Sequence, residues 1–465
     1  MDVDVLNKLR DIVGEKHVLN KKEDLIPYMK DASFFEGAEP IAVVLPGNVD
    51  EVSKIMKFCN DNLIPVVVRG GGSSLTGSSI LKGEGIILSM ARFDKILDLS
   101  VEDRYVIAEA GVKLDVLNSY LNKYGFFYPP DPASSISATV GGSINTNAGG
   151  LKAAMYGATK EWVLGLEVVL TDGTIIQTGG KVLKRSIGYD LTALFIGSEG
   201  TLGVITKAIL KITALPEKYG RIMVYYKSIS EAGRAIANLK NKGITPLIAE
   251  FMDKISMDSI THVHGLKFPE NAEYLLLIDI SSTEESLDRK LKDAYDIISK
   301  TDNIGIKITT DKNEMDAMYQ ARKGLYSSHL NERSSPNEYV VIADIVVPTS
   351  KLPDSLKEIK NKIEEYNLKV ALFGHIGDGN IHANIFANIN DKNHMERVNA
   401  FMMDLGRIAL EHEGSVSSEH GIGMEKIDLL KEEFKFKKSE RNLDIMKSIK
   451  NILDPNNILN RGKLF

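Results

Sequence analysis

The sequence predicts an α+β protein built in two parts, and three observations lead to this prediction. The first part, up to about residue 215, combines glycine-rich loops with short β-branched strands. It also contains two amphipathic helical patterns, Asp2–Val13 and Val49–Asn60. From Tyr219 onward, strands and helices follow one another in the order β-α-β-β-α-β, which is typical of a ferredoxin-like unit.

The elements of the second part follow from the spacing of its apolar residues. The predicted strands are Arg221–Tyr226, Leu247–Met252, Tyr274–Ile280 and Ile304–Thr309, and the predicted helices are Ser230–Asn241 and Ser282–Ser299. Leu215-Pro216 is a natural boundary. We therefore expect a first domain over 1–215, a second over 216–445, and a turn-rich segment, 446–465, that returns to the first domain.

The composition is that of a globular protein of two or three domains, since 43% of its 465 residues are hydrophobic and 26% are charged. The net charge of −6 is spread along the chain, which argues against nucleic-acid binding. No apolar run approaches the ~20 residues of a membrane helix, and the N-terminus carries acids where a signal peptide carries bases. We expect a cytoplasmic protein, with any peripheral membrane association made through a partner.

The single cysteine, Cys59, excludes an internal disulfide framework and a cysteine-ligated iron-sulfur cluster within this chain. Any redox chemistry therefore needs an organic carrier. Asn48 and Glu51 form the pattern of a capping box at the start of the second helix. Cys59 lies on the apolar face of that helix, so we expect it to pack in the core.

The first glycine-rich loop follows a predicted strand and covers residues 65–78. Its glycines and hydroxyls let consecutive backbone N–H groups converge on a phosphate. The spacing of Gly72 and Gly77 resembles a P-loop, but Ser78 stands where the lysine of that motif belongs, and Gly83 and Gly85 interrupt the helix that should follow. No Rossmann fingerprint is present either.

Two further loops, residues 130–150 and 197–203, repeat this composition of small residues and backbone donors. Three such loops in one domain suit an extended diphosphate ligand. The alternative is that they are ordinary connections of a β-rich fold.

The octapeptide from His375 to His382 predicts a β-hairpin closed by the loop 377–380. With that loop, His375 would face His382 on one side of the sheet, about 5 Å apart. Glu419 could complete a three-ligand metal site with open positions for water or substrate. The alternative is a solvated strand face with an ordinary turn. His262 and His264 lack a comparable context, and we interpret both as surface residues.

Taken together, the motifs resemble the FAD-linked D-2-hydroxyacid dehydrogenases, within the vanillyl-alcohol oxidase type of flavoproteins. The resemblance covers the chain from about Glu39. The motifs that carry it are Arg69-Gly-Gly-Gly-Ser-Ser, Pro129-Pro-Asp-Pro, Thr139-x-Gly-Gly-x4-Asn147-Ala-Gly-Gly, Tyr156-Gly, Gly188-Tyr-Asp-Leu, Gly197-Ser-Glu-Gly-Thr-Leu-Gly-Val-Ile, the octapeptide, Ser418-Glu-His-Gly-Ile-Gly and Asp454-Pro. It implies a two-part FAD-binding domain of vanillyl-alcohol oxidase type and an α/β cap domain with the ferredoxin-like elements.

The resemblance also implies which residues contact non-covalent FAD. These are Arg69, Gly70, Gly71, Gly72, Ser73, Ser74, Gly77, Ser78, Pro130, Asp131, Thr139, Gly141, Gly142, Asn147, Gly149, Gly150, Tyr156, Gly157, Glu199, Gly200, Gly203, Ile205 and Asn460. The implied metal ligands are His375, His382 and Glu419, with zinc as the first candidate and manganese or iron also compatible with this ligand set. The implied catalytic residues are His420 as general base, Arg322 as the group that binds the substrate carboxylate, and Asn380.

The implied reaction is oxidation of D-lactate or glycolate to the 2-oxo acid, with hydride passing to FAD. Ile342 stands where relatives acting on a dicarboxylic acid have a basic residue, which puts D-2-hydroxyglutarate in doubt. Two rival functions are a non-redox enzyme like alkylglycerone-phosphate synthase and a non-catalytic flavin subunit of an oxidase complex. The electron acceptor stays open between a quinone, an electron-transfer flavoprotein and an iron-sulfur subunit, and a homodimer is compatible with the sequence.

Overall fold

The structure is a computed structural model that describes residues 2–465. Its strands are β1 (Val18–Leu19), β2 (Ala42–Val44), β3 (Val66–Arg69), β4 (Ile86–Ser89), β5 (Ile96–Ser100), β6 (Tyr105–Glu109), β7 (Phe126–Phe127), β8 (Val163–Val169), β9 (Ile175–Gly179), β10 (Val204–Lys211), β11 (Thr213–Ala214), β12 (Lys218–Tyr226), β13 (Ile248–Asp253), β14 (Tyr274–Ser282), β15 (Gly305–Thr309), β16 (Glu338–Val346), β17 (Val370–Gly374) and β18 (Asn380–Asn388).

Its helices are α1 (Asp2–Val13), α2 (Lys22–Leu25), α3 (Val49–Asp61), α4 (Leu114–Leu121), α5 (Val140–Thr146), α6 (Ala153–Tyr156), α7 (Leu191–Phe195), α8 (Ile229–Asn241), α9 (Lys254–His264), α10 (Leu287–Ile298), α11 (Lys312–Lys323), α12 (Leu325–Asn331), α13 (Leu352–Tyr366), α14 (Lys392–Glu411), α15 (Ile427–Phe436) and α16 (Arg441–Leu453). No helix within residues 2–465 is long and apolar enough to cross a membrane.

The chain forms two compact units. The first contains Met1–Ala148, Ala158–Leu215 and Glu419–Phe465, and the second contains Gly149–Gly157 and Pro216–Ser418. The units divide at Leu215-Pro216, and they differ from the expected domains in two places. The short segment 149–157 belongs to the second unit, and the chain returns to the first unit at Glu419 rather than at residue 446.

The first unit contains two larger sheets. One has the order β1-β2-β4-β3, with β2, β4 and β3 parallel, and the other is the antiparallel sheet β5-β6-β10-β8-β9.

Helix α3 packs on the first of these sheets, and its capping box is present. Asn48 Oδ1 accepts a hydrogen bond from the Glu51 amide at 2.9 Å, and Glu51 Oε2 accepts one from the Gly47 amide at 2.7 Å. Cys59 lies in the core, where burial raises the pKa of its thiol to about 12.

The second unit contains one antiparallel sheet of seven strands in the order β15-β12-β14-β13-β17-β18-β16. The first four strands of this order are the fourth, first, third and second in the chain, with α8 and α10 as the two crossover helices. This is the ferredoxin-like unit that the sequence predicts. Two details differ. Helix α9 lies between β13 and β14, and α10 begins at Leu287 instead of Ser282, because Ser282 pairs with Lys218 as the last residue of β14.

The hairpin of β17 and β18 forms, but its register differs from the predicted one. His382 pairs with Phe373, and the Asn380 amide donates to the His375 carbonyl at 3.3 Å, so the tip is 376–379. His375 therefore does not face His382. Because the error is two residues, and side chains alternate between faces, both imidazoles still lie on the same face of the sheet.

Candidate active site

In the first unit, the three glycine loops pack directly on one another. A methyl group on Gly71 would lie 1.9 Å from the Ser137 carbonyl oxygen, and one on Gly70 would lie 2.4 Å from Thr139 Oγ1. The third loop is attached through Asn145, whose Oδ1 accepts from the Gly200 amide at 2.9 Å. The three motifs, which are separated by up to about 130 residues in the sequence, therefore form one surface.

The first loop keeps a run of backbone donors that the protein itself does not use. In the part of the chain that the structure describes, the amides of Gly71, Gly72 and Ser73 donate to no protein acceptor. The second and third loops use some of their amides internally. Examples are Ser137 donating to Ser134 at 2.8 Å and the Glu199 amide donating to the Asn145 carbonyl at 2.8 Å. That all three loops present converging donors to a ligand stays a prediction.

Several predicted FAD contacts also have hydrogen-bond partners within the protein. The buried guanidinium of Arg69 donates to the carbonyls of Lys30 at 2.7 Å and Ser79 at 3.1 Å, so it holds the first loop. Asn460 Nδ2 donates to the Glu199 carbonyl at 2.5 Å, which connects the C-terminal segment to the third loop. The carboxylate of Glu199 accepts from two backbone amides, those of residues 422 and 423.

The remaining predicted FAD contacts fall into two groups. Gly149, Gly150, Tyr156 and Gly157 lie in the segment that belongs to the second unit, while the rest lie in the first unit. Among the latter, Ser78 Oγ donates to Ser74 Oγ at 2.7 Å, and Thr139 caps α5 by accepting from the Gly142 amide at 3.2 Å.

In the second unit, the hairpin places two imidazoles side by side. The rings of His375 and His382 have centroids 5.3 Å apart, and only 5% and 3% of these residues are exposed. His375 Nδ1 lies 2.7 Å from Glu250 Oε1, and His382 Nδ1 lies 3.7 Å from Asp344 Oδ1. The interpretation of these histidines as polar residues on a solvated strand is therefore wrong.

The Glu250 carboxylate at Nδ1 of His375 fixes the orientation of that ring and makes its opposite nitrogen, Nε2, the candidate ligand atom, whereas Asp344 lies beyond hydrogen-bond distance of His382 Nδ1 and interacts with that ring electrostatically. This carboxylate-imidazole pairing is the usual environment of histidines that bind a metal. Asp344 is itself held in place, since Asn380 Nδ2 donates to its Oδ1 at 2.6 Å and the Ser418 amide donates to its Oδ2 at 3.0 Å. The donor set and its supporting carboxylates thus fit a divalent cation.

Sequence reasoning missed Glu250 and Asp344. Both are acids flanked by apolar residues in the strands Ile248–Asp253 and Glu338–Val346, and both are fully buried. A carboxylate between apolar neighbours in a buried strand is the available signal, because an unpaired buried charge is costly and indicates a specific partner.

Arg322 contacts Glu250 and so belongs with these histidines and carboxylates to one polar cluster; it is 3% exposed. Its Nη2 forms an ion pair with Glu250 Oε2 at 2.5 Å. Its Cζ lies 4.9 Å from the centroid of the Phe373 ring, so the guanidinium stacks over that ring. Its Nε donates to no acceptor among the described residues. The charge is therefore fixed by Glu250, with one N–H group left to bind an acceptor.

Two further polar residues extend this cluster and are also missed by sequence reasoning. His329 Nδ1 lies 2.8 Å from Asn384 Nδ2, and both residues are fully buried. Asn384 lies on the same face of β18 as His382 because the two are separated by two residues. Within residues 2–465, His329 Nε2 and Asn384 Oδ1 have no hydrogen-bond partner. Burial lowers the pKa of His329 to about 3, so the imidazole is neutral at physiological pH.

Glu419 and His420 begin the returning segment of the first unit, directly after Ser418. The backbone is irregular there, and Gly421 has a φ of 78°. Glu419 Oε1 lies 3.8 Å from His420 Nε2, and the His420 carbonyl accepts from Thr76 Oγ1 at 3.4 Å. The predicted general base is therefore adjacent to the first glycine loop.

A first unit with glycine loops and a second with a polar cluster on an antiparallel sheet define a two-domain flavoprotein fold, and comparison with known proteins confirms it. The family model described as an FAD binding domain matches residues 40–179, and the one described as the C-terminal domain of FAD linked oxidases matches residues 215–464. The chain belongs to the FAD-linked oxidase family, and its fold is of the vanillyl-alcohol oxidase type.

Named relatives extend over nearly the whole chain. The chain is 35% identical to the glycolate oxidase subunit GlcD of Bacillus subtilis, over 99% of this chain and 97% of that protein. It is 34% identical to a D-lactate dehydrogenase of Archaeoglobus fulgidus, over 92% of each. A crystal structure of p-cresol methylhydroxylase with substrate bound has a TM-score of 0.82, with 18% identity, over 99% of this chain and 96% of that one.

Proposed function

We propose that this protein oxidises a small D-2-hydroxy acid, D-lactate or glycolate, to the corresponding 2-oxo acid. The observation that carries the proposal is the pair of buried imidazoles, with His375 hydrogen-bonded to the Glu250 carboxylate and His382 beside Asp344. The names of the relatives, a glycolate oxidase subunit and a D-lactate dehydrogenase, support the substrate class.

The proposed cation ligands are His375, His382 and Glu419. Glu419 follows Ser418, whose amide donates to the same Asp344 carboxylate that lies beside His382. Consecutive Cα atoms are only about 3.8 Å apart, so this bond supports placing Glu419 in the ligand set. Bound FAD would accept two electrons, and a bound zinc, manganese or iron ion would polarise the substrate oxygens.

The side chains of the protein would then orient the substrate and accept its proton. Arg322 carries a buried positive charge and an unused N–H group suited to a carboxylate oxygen. His420 would accept the proton of the α-hydroxyl group. Asn380, which holds Asp344, would act through that carboxylate and not on the substrate.

A substrate with one carboxylate is favoured over D-2-hydroxyglutarate. Ile342 pairs with Asn384 across β16 and β18, where a basic side chain would be expected for a second carboxylate. The residue is apolar and buried, and it offers no charge to such a group.

The first glycine loop would bind the FAD diphosphate, because Gly71, Gly72 and Ser73 present unused amides there. The remaining predicted contacts would bind other parts of the FAD molecule or pack around its site. With neither histidine nor cysteine in the first two loops, the FAD would be non-covalent. Electrons would leave through a partner, since a relative is named as a subunit of glycolate oxidase.

The test is anaerobic reduction of the bound flavin. D-lactate, L-lactate, glycolate and D-2-hydroxyglutarate are each added to the purified protein, before and after treatment with a chelator. We expect bleaching by D-lactate or glycolate, little bleaching by L-lactate and D-2-hydroxyglutarate, and loss of bleaching without metal. Failure of all four acids to reduce the flavin would refute the dehydrogenase proposal and would favour a non-redox or non-catalytic flavoprotein.

The histidine pair is tested by His382→Ala, with His262→Ala as the matched control. His262 is exposed and forms only a surface pair with Glu332 at 3.1 Å. We expect His382→Ala to lose both the bound metal, measured by elemental analysis, and flavin reduction by substrate, while His262→Ala keeps both. Retention of a stoichiometric metal ion in His382→Ala would exclude the proposed site.

A further inference from the structure

The loop of residues 420–424, which begins with the proposed general base, is held at both ends by separate segments of the first unit. The carbonyl of His420 accepts from Thr76 Oγ1 at 3.4 Å, and the Met424 amide donates to the Thr76 carbonyl at 2.8 Å. The Gly423 carbonyl accepts from the Leu464 amide at 3.2 Å.

Glu199 holds the middle of this loop. Its Oε1 accepts from the Ile422 amide at 2.7 Å, and its Oε2 accepts from the Gly423 amide at 2.8 Å. Both carboxylate oxygens therefore bind consecutive amides, which is a strong, charge-assisted arrangement. The side chain is 4% exposed, and the backbone of Glu199 has a φ of 51°, an uncommon value for a residue other than glycine.

The loop is shaped to receive this carboxylate. A methyl group on Gly421 would lie 2.9 Å from Glu199 Oε1, so a larger residue would push the carboxylate away. Gly421 and Gly423 have φ values of 78° and 53°, which non-glycine residues rarely adopt. Such a glycine-rich loop would have many accessible conformations without the carboxylate, because glycine restricts the backbone least.

We propose that Glu199 is a positioning residue for His420: its carboxylate fixes the loop 420–424 and thereby places the imidazole for proton transfer. The proposal rests on the proposed function, in which His420 accepts the hydroxyl proton. It differs from the expected role of Glu199 as an FAD contact, since both of its carboxylate oxygens bind amides of the loop. Misplacing a catalytic group by about 1 Å can lower a rate by roughly 100-fold, so a small displacement is sufficient.

The test uses Glu199→Gln, which keeps the size of the side chain but replaces one acceptor with an NH2 group that faces an amide donor. Rates of anaerobic flavin reduction are measured by stopped flow over a range of substrate concentrations and pH. We expect the limiting rate to fall by about 10- to 100-fold. The half-saturating substrate concentration and the FAD content should change by less than about 3-fold, because a positioning residue affects the reaction step and not the binding of substrate or cofactor.

Asp454→Asn is the matched control. Asp454 is also fully buried and also accepts from two consecutive amides, those of Ile458 at 3.0 Å and Leu459 at 2.8 Å, but it holds the C-terminal segment. We expect Asp454→Asn to lower thermal stability and keep the wild-type rate of flavin reduction within about 3-fold. Equal losses of rate in both variants would overturn the proposal, because the effect would then be general destabilisation.

Hydrogen exchange at the amides of Ile422 and Gly423 separates this proposal from the proposed function. Protection of both amides in the wild-type protein and faster exchange in Glu199→Gln would support the proposal that the Glu199 carboxylate fixes the loop 420–424. Unchanged exchange in the variant, or an unchanged reduction rate, would overturn it. If no 2-hydroxy acid reduces the wild-type flavin, the positioning role of Glu199 fails together with the proposed function. Hydrogen exchange alone then decides whether the Glu199 carboxylate fixes the loop.

Discussion

The glycine loops of the first unit and the polar cluster of the second unit are built in opposite ways. The loop surface consists of backbone groups in close contact, with Gly70 and Gly71 against Ser137 and Thr139. The cluster consists of charged and polar side chains that hold one another, with Glu250 between His375 and Arg322. The first depends on the absence of side chains and the second on their exact partners, so the two should respond to different substitutions.

Adding a side chain to a glycine of the loop surface should have the largest effect on FAD binding. In Gly71→Val, the new side chain would meet the Ser137 carbonyl, and the first and second loops would be forced apart. We expect loss of most of the bound FAD, measured by flavin absorbance per chain, and a loss of about 1–3 kcal/mol in the free energy of unfolding.

Gly83→Ala is the control for this substitution. A methyl group at Gly83 would have no neighbour within 4 Å, and the residue lies between the same strands as the first loop. This variant should keep its FAD. A flavin content in Gly71→Val equal to that of Gly83→Ala would show that close packing of the loops does not matter for FAD binding.

The polar cluster should instead respond to a change of one atom. Glu250→Gln keeps the volume but weakens the support of His375 and leaves the Arg322 charge without its partner. We expect the affinity for the metal, measured by competition with a chelator, to fall by about 10- to 100-fold. The reference for general destabilisation is Asp279→Asn, since Asp279 forms a buried ion pair with Arg221 at 2.6 Å on the same sheet.

Asp279→Asn should lose stability and keep the metal. If Glu250→Gln bound the metal as tightly as Asp279→Asn, Glu250 would be only a counter-ion for Arg322 and would not support a ligand.

The two regions also differ in how well the sequence predicts them. The loops follow from local composition, and the ferredoxin-like order follows from the apolar periodicity of strands such as Arg221–Tyr226. The sequence does not predict the partners of the histidines. Glu250 and Asp344 lie beside them only because β13, β17, β18 and β16 are neighbours in the sheet. The predicted face of the hairpin is correct despite the wrong register, since an even shift preserves the side of the sheet.

Local sequence patterns also could not show which polar groups are already hydrogen-bonded within the protein. Arg69 looks like a phosphate ligand beside its glycines, yet its donors bind carbonyls from the segment before Ala42, which no spacing rule connects to it. Helix α9 is missed for a similar reason. Its sequence, Lys254–His264, has a broken apolar stripe, and the helix is stabilised by the buried N-cap Asp253, which accepts from the Ser256 amide at 2.9 Å.

The smallest expected effect concerns pH and the buried His329 beside the cluster. Its pKa is lowered to about 3 by burial, with Arg322 and Lys369 adding to the effect, whereas the unfolded chain has the ordinary value of 6.5. Below pH 6.5 the unfolded state therefore binds a proton that the folded state does not. The free energy of unfolding should fall as the pH drops, by roughly 2 kcal/mol between pH 7 and pH 5 from this group alone.

The measurement compares wild type with His329→Gln by chemical denaturation at several pH values. Asp253 acts in the opposite direction, because burial raises its pKa to about 6 and its protonation stabilises the fold as the pH falls through that value. Since Asp253 is present in both proteins, its contribution cancels in the difference. The stability of His329→Gln relative to wild type should rise on acidification. A constant difference from pH 7 to pH 5 would mean that His329 has the same pKa in the folded protein as in the unfolded chain.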